Sequence, residues 1–297
     1  MTNALIPVAR DTDLYGGSRL RDRLVALADD YAPKAATVDL SLLRRDAHQV
    51  LDATTRRHRQ GWGALAHLHE RAIASVRDKI ASSDGSRVIH LDRSQAAAEF
   101  LAAVGSTDAA VITHGDSGVG KSTLAVRAVT RAVSSEPETT QAVCINLRHL
   151  PATTLALESF LGTSLAKLLG ELSAPQRLLV VDGADAISEG MLEPFRYVVD
   201  AGLQADVKVI AITANDTKQL ARDAVAERCD GDIAEFLVPP LTDPEVDNVV
   251  ATFGELKALG TNPRSRELLR KPVVVDLLVR GGLSCTPLSD ADAGTPA

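Results

Sequence analysis

Apolar residues change their spacing along this chain, and the change divides it into regions. Over residues 1–83 the spacing is helical. Leu20, Leu24, Leu27 and Tyr31 recur every three to four residues. A turn is expected at Ala32-Pro33, and Asp39-Leu40-Ser41 reads as the start of a second helix through Leu43, Val50 and Leu51. Gly61-Trp62-Gly63 is expected to interrupt it. A further stripe of Trp62, Leu65, His69, Ile73, Val76 and Ile80 then runs to a polar break at Ser82-Ser83-Asp84-Gly85-Ser86. Past this break, short apolar runs alternate with helical stretches. Strands are expected at 87–91, 109–114, 141–146, 177–181, 207–213 and 233–238, and helices at 94–104, 120–133, 153–171, 191–201 and 217–226. Such alternation implies parallel β-α-β units, hence an α/β fold of three layers with the sheet covered on both faces. Residues 242–281 read as helical, and the small, polar tail 284–297 as disordered. The expected division is a helical N-terminal domain over 1–83, an α/β domain over 84–241, and a helical lid with its tail over 242–297.

The loop after the strand at 109–114 is rich in glycine. Gly115-Asp116-Ser117-Gly118-Val119-Gly120-Lys121-Ser122 has the spacing Gly-x-x-x-x-Gly-Lys-Ser, with a strand before it and a helix after it. Glycines let the backbone curl so that successive N–H groups converge on phosphate oxygens. The helix start adds positive partial charge. Lys121 is placed to meet the outer phosphates and Ser122 to offer its hydroxyl oxygen to Mg²⁺. Thr123 completes the loop. The ligand expected is therefore ATP or ADP with Mg²⁺.

A second element supports this. Leu178-Leu179-Val180-Val181-Asp182 is an apolar strand ending in a carboxylate, so Asp182 is expected beside Ser122 as a second Mg²⁺ ligand. Asp185 is the candidate to activate the attacking water, the alternative being a carboxylate that caps the next turn. The strand at 207–213 ends in Thr213-Ala214-Asn215. Thr213, then Asn215, are candidates to sense the terminal phosphate, or equally turn and cap residues.

Composition changes the picture little. Hydrophobic residues make up 45% and aromatics 3%, so the core is expected from Leu, Val, Ile and Ala. The net charge is −7, with a mildly basic 1–83 and an acidic remainder, so nucleic acid is not expected as a partner. The arginines at 44, 45, 56, 57 and 59 read as a solvated helix face. Cys144, Cys229 and Cys285 form no Cys-x-x-Cys pair, and His48, His58, His67 and His69 lack metal-ligand spacing. The first residues lack a signal-peptide pattern and no run is long enough to span a bilayer, so a soluble, cytoplasmic protein is expected.

With these marks in place, residues 88–282 resemble the STAND-class NTPases, most closely the NACHT-like ones, a branch near the AAA+ proteins. Leu91-Asp92-Arg93 resembles the apolar-plus-Arg element that frames the nucleotide, which implies a binding role for Arg93. Val181-Asp182-Gly183-Ala184-Asp185 resembles the family's acidic strand end, and Ile212-Thr213-Ala214-Asn215 its sensor strand. Phe236 to Thr242 resembles the exit into the lid, and Leu269-Arg270-Lys271-Pro272-Val273 the lid segment whose proline packs near adenine. Two positions depart from the pattern: Ala186 stands where a Glu is usual, and Asn215 where an Arg is usual. The resemblance implies a signalling or defence switch with slow ATP hydrolysis. ADP holds it closed, ATP exchange permits homo-oligomers, and residues 1–83 serve as effector or adaptor toward a protein partner. Two other readings share the loop. A small-molecule kinase would use lid arginines such as Arg264, Arg266 and Arg270, and a DNA-associated AAA+ ATPase would use Arg264 on the terminal phosphate. A GTPase is not expected, since no Asn-Lys-x-Asp motif follows the loop.

Overall fold

Runs of Val, Ile, Leu and Ala pair side by side into a five-stranded parallel sheet in the computed structural model of the chain, which describes residues 16–31 and 58–281. The described helices are α1 (Gly16–Tyr31), α2 (Arg59–Ala74), α3 (Ser94–Val104), α4 (Lys121–Ser135), α5 (Thr154–Leu161), α6 (Leu165–Leu169), α7 (Leu192–Gln204), α8 (Lys218–Ala226), α9 (Asp243–Thr252), α10 (Lys257–Thr261), α11 (Pro263–Leu269) and α12 (Pro272–Arg280). The strands are β1 (Lys79–Ala81), β2 (Val88–His90), β3 (Ala110–His114), β4 (Thr140–Asn146), β5 (Gln176–Asp182), β6 (Lys208–Ile212) and β7 (Ile233–Leu237).

The sheet order is β4-β5-β6-β3-β7. Strand β3 is buried along its whole length, as a strand covered on both faces must be. One face packs on Trp62, Leu161, Leu168, Phe195 and Val198, and the other on Phe100, Val126 and Val129. The expected α/β three-layer architecture is therefore present, with all parallel strands ending on one rim. This is the fold of P-loop NTPases: the glycine-rich loop leaves β3 at that rim, and β5 delivers Asp182 to the same rim.

Several local expectations need correction. Gly61 and Gly63 do not interrupt a helix; they lie in the first turns of α2. A Cβ on Gly61 would sit 2.8 Å from the Leu161 carbonyl oxygen, so the small residue allows close approach rather than a break. Trp62 is fully buried there, and its Nε1 donates to Glu171 at 2.6 Å. Helix α2 thus belongs to the core of the sheet, at the β4 edge. The stripe through Val76 and Ile80 is not one helix either: α2 ends at Ala74 and Ile80 lies in β1.

The polar run 82–86 is the turn of an antiparallel hairpin, β1 with β2. Asp84 accepts from Ser82 Oγ and from the Ser86 amide, and Gly85 takes the left-handed φ of +69°. Ile80 and Ile89 of this hairpin pack with Val246, Val249, Phe253 and Val275 of the lid, helices α9 to α12. The stretch 153–171 divides into α5 and α6 around Gly162, at φ +69°. The helix expected near 39–51 and the tail 284–297 lie outside the described residues. Among the described residues no helix is long and apolar enough to cross a membrane.

Candidate functional site

The loop from Gly115 to Gly120 joins the end of β3 to the start of α4. Gly120 caps α4 in the left-handed region at φ +86°. Gly118, at φ +83°, lies against the lid: a Cβ there would sit 2.1 Å from Val273 Cγ1. The Val273 amide donates to the Gly118 carbonyl at 3.3 Å, so the start of α12 rests on the loop. Pro272 is beside it, its Cγ 3.7 Å from where a Cβ of Gly120 would stand. Ser117 and Asp116 are exposed on the loop and Val119 is buried. Thr123, in the first turn of α4, donates from its hydroxyl to the Arg77 carbonyl at 2.9 Å.

Lys121 folds back over the loop. Its Nζ donates to the carbonyls of Gly115 (3.0 Å) and Asp116 (2.9 Å). Burial pulls its pKa down, against the opposing pull of Asp185, Asp116 and Asp182. Ser122 Oγ donates to Asp182 Oδ1 at 2.6 Å, and Asn146 Nδ2 donates to Asp182 Oδ2 at 3.1 Å. Asp182 is 7% exposed. Burial pushes its carboxyl above the usual range despite the hydrogen bonds from Ser122, the Gly183 amide and Asn146.

This donor set fits Mg²⁺. A hydroxyl and a carboxylate are hard oxygen donors, and Mg²⁺ takes one or two protein oxygens with water and phosphate completing its shell. The buried, anionic Asp182 also gains from a cation. Among the described residues no group of three or more His, Cys, Asp or Glu could form an all-protein metal cage. His69, expected as a packing or surface residue, is buried; its Nδ1 accepts from the Cys144 amide at 2.9 Å, and burial lowers its pKa to about 4.

The remaining candidates are placed less simply. Asp185 lies in the turn after β5, but its carboxylate pairs with Arg148 at 2.8 Å, and Arg148 also reaches Glu189 at 2.6 Å. Burial works to raise the Asp185 carboxyl, and the Arg148 hydrogen bond and charge outweigh it, leaving the pKa lowered. Thr213 is buried at the end of β6, with its hydroxyl 2.8 Å from that of Thr217. Asn215 does not join Thr213; its Nδ2 donates to Asp116 Oδ1 at 2.8 Å. Arg93 is brought to the loop from below. It donates to the carbonyls of Val119 (2.8 Å) and Pro239 (2.5 Å) and lies 3.6 Å from Glu245, joining loop, linker and lid. Burial lowers its pKa, with Glu245 opposing. A cleft of 290 Å³ opens beside the loop, lined by Asp116, Val119, Asn215, Leu237, Pro240 and Lys271 among others.

Sequence reasoning did not single out Asn146, Arg148 or His114 for this site, and within the lid segment 269–273 it gave a nucleotide-binding role to Pro272 alone. Asn146 had the clearest signal: β4 pairs in register with β5, which sets Asn146 opposite Asp182. Both expected strands end in a polar residue, but only their adjacency makes that informative.

No protein-family model and no curated protein matches the chain. Solved structures are similar to it. One is the Aeropyrum pernix ORC1 protein in complex with DNA, at 16% identity and a TM-score of 0.46, over 64% of this chain and 59% of that one. Another is the walker-type ATPase PABY2304 of Pyrococcus abyssi, at 15% identity and a TM-score of 0.41, over 68% of each chain. A third is PCH-2 of C. elegans, at 14% identity and a TM-score of 0.35, over 62% of this chain and 59% of that one. The chain therefore spans less than two thirds of the ORC1 and PCH-2 chains it matches.

Proposed function

We propose that the chain binds ATP or ADP with Mg²⁺ at residues 115–123 and works as a slowly hydrolysing STAND-type switch, whose lid follows the nucleotide. One observation carries the reading: Ser122 and Asp182 meet at 2.6 Å beneath a phosphate loop on which the lid residue Val273 rests. Lys121 leaves the loop carbonyls to balance phosphate charge. Ser122 and Asp182 hold the metal, with Asn146 orienting Asp182. Bound Mg²⁺ neutralises charge on the outer phosphates. Arg93 and Pro272 seat the loop against the lid. Slow turnover follows from three features. Asp185 is held by Arg148 and is a poor base while so paired. Ala186 carries no carboxylate. Asn215 is turned to Asp116. Residues 1–83 act as the adaptor toward a protein partner, from a segment whose helix α2 is seated on the sheet. ATP binding loosens the lid and permits homo-oligomers.

The kinase alternative loses support from the lid. Arg266 is engaged with Asp243 and Asp247, and Arg270 with Asp243, Glu267 and the Leu241 carbonyl. These arginines hold the lid together, which leaves them poorly placed to clamp a transferred phosphate.

The test is a titration with ATP and ADP in Mg²⁺. Lys121→Ala is expected to weaken binding about 10- to 100-fold, the worth of a hydrogen bond to a charged group, with an unchanged melting temperature. Equal affinity of variant and parent contradicts the reading.

A further inference from the structure

Three side chains beside the loop form a hydrogen-bonded chain that contact with a nucleotide does not require. His114 ends β3 and is 9% exposed. Its Nδ1 lies 2.8 Å from Asn215 Oδ1, and Asn215 Nδ2 lies 2.8 Å from Asp116 Oδ1. The Asp116 carboxylate only accepts, so the Asn215 atom facing it must be the amide nitrogen. The Asn215 oxygen is then left to accept, and His114 donates to it from Nδ1–H. On its other side, His114 Nε2 is 3.8 Å from Glu235, which also pairs with Lys218 (2.9 Å) and Arg222 (3.2 Å).

Asp116 is the reason such a chain is needed. A carboxylate in a loop that receives a polyanion is repelled by its ligand. Here its carboxylate is bonded to Asn215 and lies 3.7 Å from Lys271 of the lid. We infer that His114 and Asn215 are positioning residues of the phosphate loop, which hold Asp116 away from the phosphate cradle and keep the loop in its binding turn. The inference rests on the reading that this loop binds nucleotide, and it gives Asn215 a task other than sensing the terminal phosphate. If Asn215 contacted that phosphate, its loss would affect ATP alone. If it restrains Asp116, its loss affects ATP and ADP alike.

The experiment uses the full chain and two readouts: affinity for ATP and for ADP in Mg²⁺, and amide hydrogen exchange over residues 115–121 without nucleotide. Asn215→Asp sets two carboxylates against each other. It is expected to weaken both nucleotides about tenfold and to speed exchange in the loop. The swap Asp116→Asn with Asn215→Asp restores donor and acceptor in reverse order, and His114 can still donate to the new Asp oxygen. It should recover both readouts. His114→Asn keeps a donor near the Nδ1 position and should retain them, whereas His114→Leu should not. Loss confined to ATP, or a folded swap variant that recovers neither readout, overturns the inference. Failure of the parent itself to bind either nucleotide would instead overturn the nucleotide reading, and the exchange readout would still judge the hydrogen-bonded chain.

Discussion

At the scale of single residues, Asp182 is where the proposed metal-holding role and stability oppose each other. Its folded pKa is raised by burial. A carboxyl raised in the folded state favours folding fully below its unfolded pKa, and that contribution is lost as pH rises through the folded value. At neutral pH the ionised Asp182 is therefore a liability that a cation relieves. Asp182→Asn is expected to raise the melting temperature of the nucleotide-free protein by about 2 °C or more while abolishing the Mg²⁺ dependence of nucleotide binding. A calorimetric scan beside a titration with and without Mg²⁺ checks both halves. For the parent, the thermal shift given by Mg²⁺ with ATP should shrink on acidification, as Asp182 protonates. Asp185→Asn should act differently. It removes one of the two carboxylates paired with Arg148, the other being Glu189, and should change turnover alone, leaving Mg²⁺-dependent binding intact; a single-turnover assay with unaltered rate would remove Asp185 from the mechanism. The turn from Gly115 to Gly120 and the helix opening at Lys121 were legible because both are set by spacing along the chain. Asn146 and His114 were not, because each acts on a residue that only strand pairing and loop closure bring near.

At the scale of elements, what the chain pattern misplaced were the pieces of the N-terminal region that pack elsewhere. Ser82 to Ser86 has the composition of a linker and the same composition suits a hairpin turn. The strands flanking it are three residues each, too short to show an alternation. Long apolar runs such as β5 left no such ambiguity, and the helix at 94–104 appears with those bounds. Because Ile80 and Ile89 share a core with Phe253 and Val275, the hairpin and lid should loosen as one body. Arg87 reinforces the joint, bonded to Glu255 at 2.5 and 2.8 Å with its guanidinium 5.5 Å from the Phe253 ring centroid. Ile80→Ala and Ile89→Ala are each expected to cost about 2–4 kcal/mol of local stability. Hydrogen exchange should then rise together over 79–90 and 243–280 and stay unchanged in β3 and β5. A rise limited to the hairpin would show that it is not part of the lid.

At the scale of the whole molecule, the question is what the lid contact does. Val273 is 45% exposed, so its side chain adds little to the core, yet it meets the loop at Gly118. A contact of that kind biases a lid without holding up a fold. Under the switch reading, Val273→Ala should leave the folding stability within about 0.5 kcal/mol of the parent. It should also speed ADP release and increase self-association, measured by stopped-flow displacement and by sedimentation. The DNA-associated reading makes a different demand on the same preparation: duplex DNA should bind to the parent with an affinity that falls linearly with the logarithm of salt concentration. A net charge of −7 opposes such binding unless basic residues are gathered on one face. Faster ADP release and larger assemblies in Val273→Ala, with no salt-dependent DNA binding, separate the switch from the DNA-associated ATPase. The reverse pattern, DNA binding with release and assembly unchanged, would move the chain to the second class, with Lys121, Ser122 and Asp182 keeping the same tasks in either.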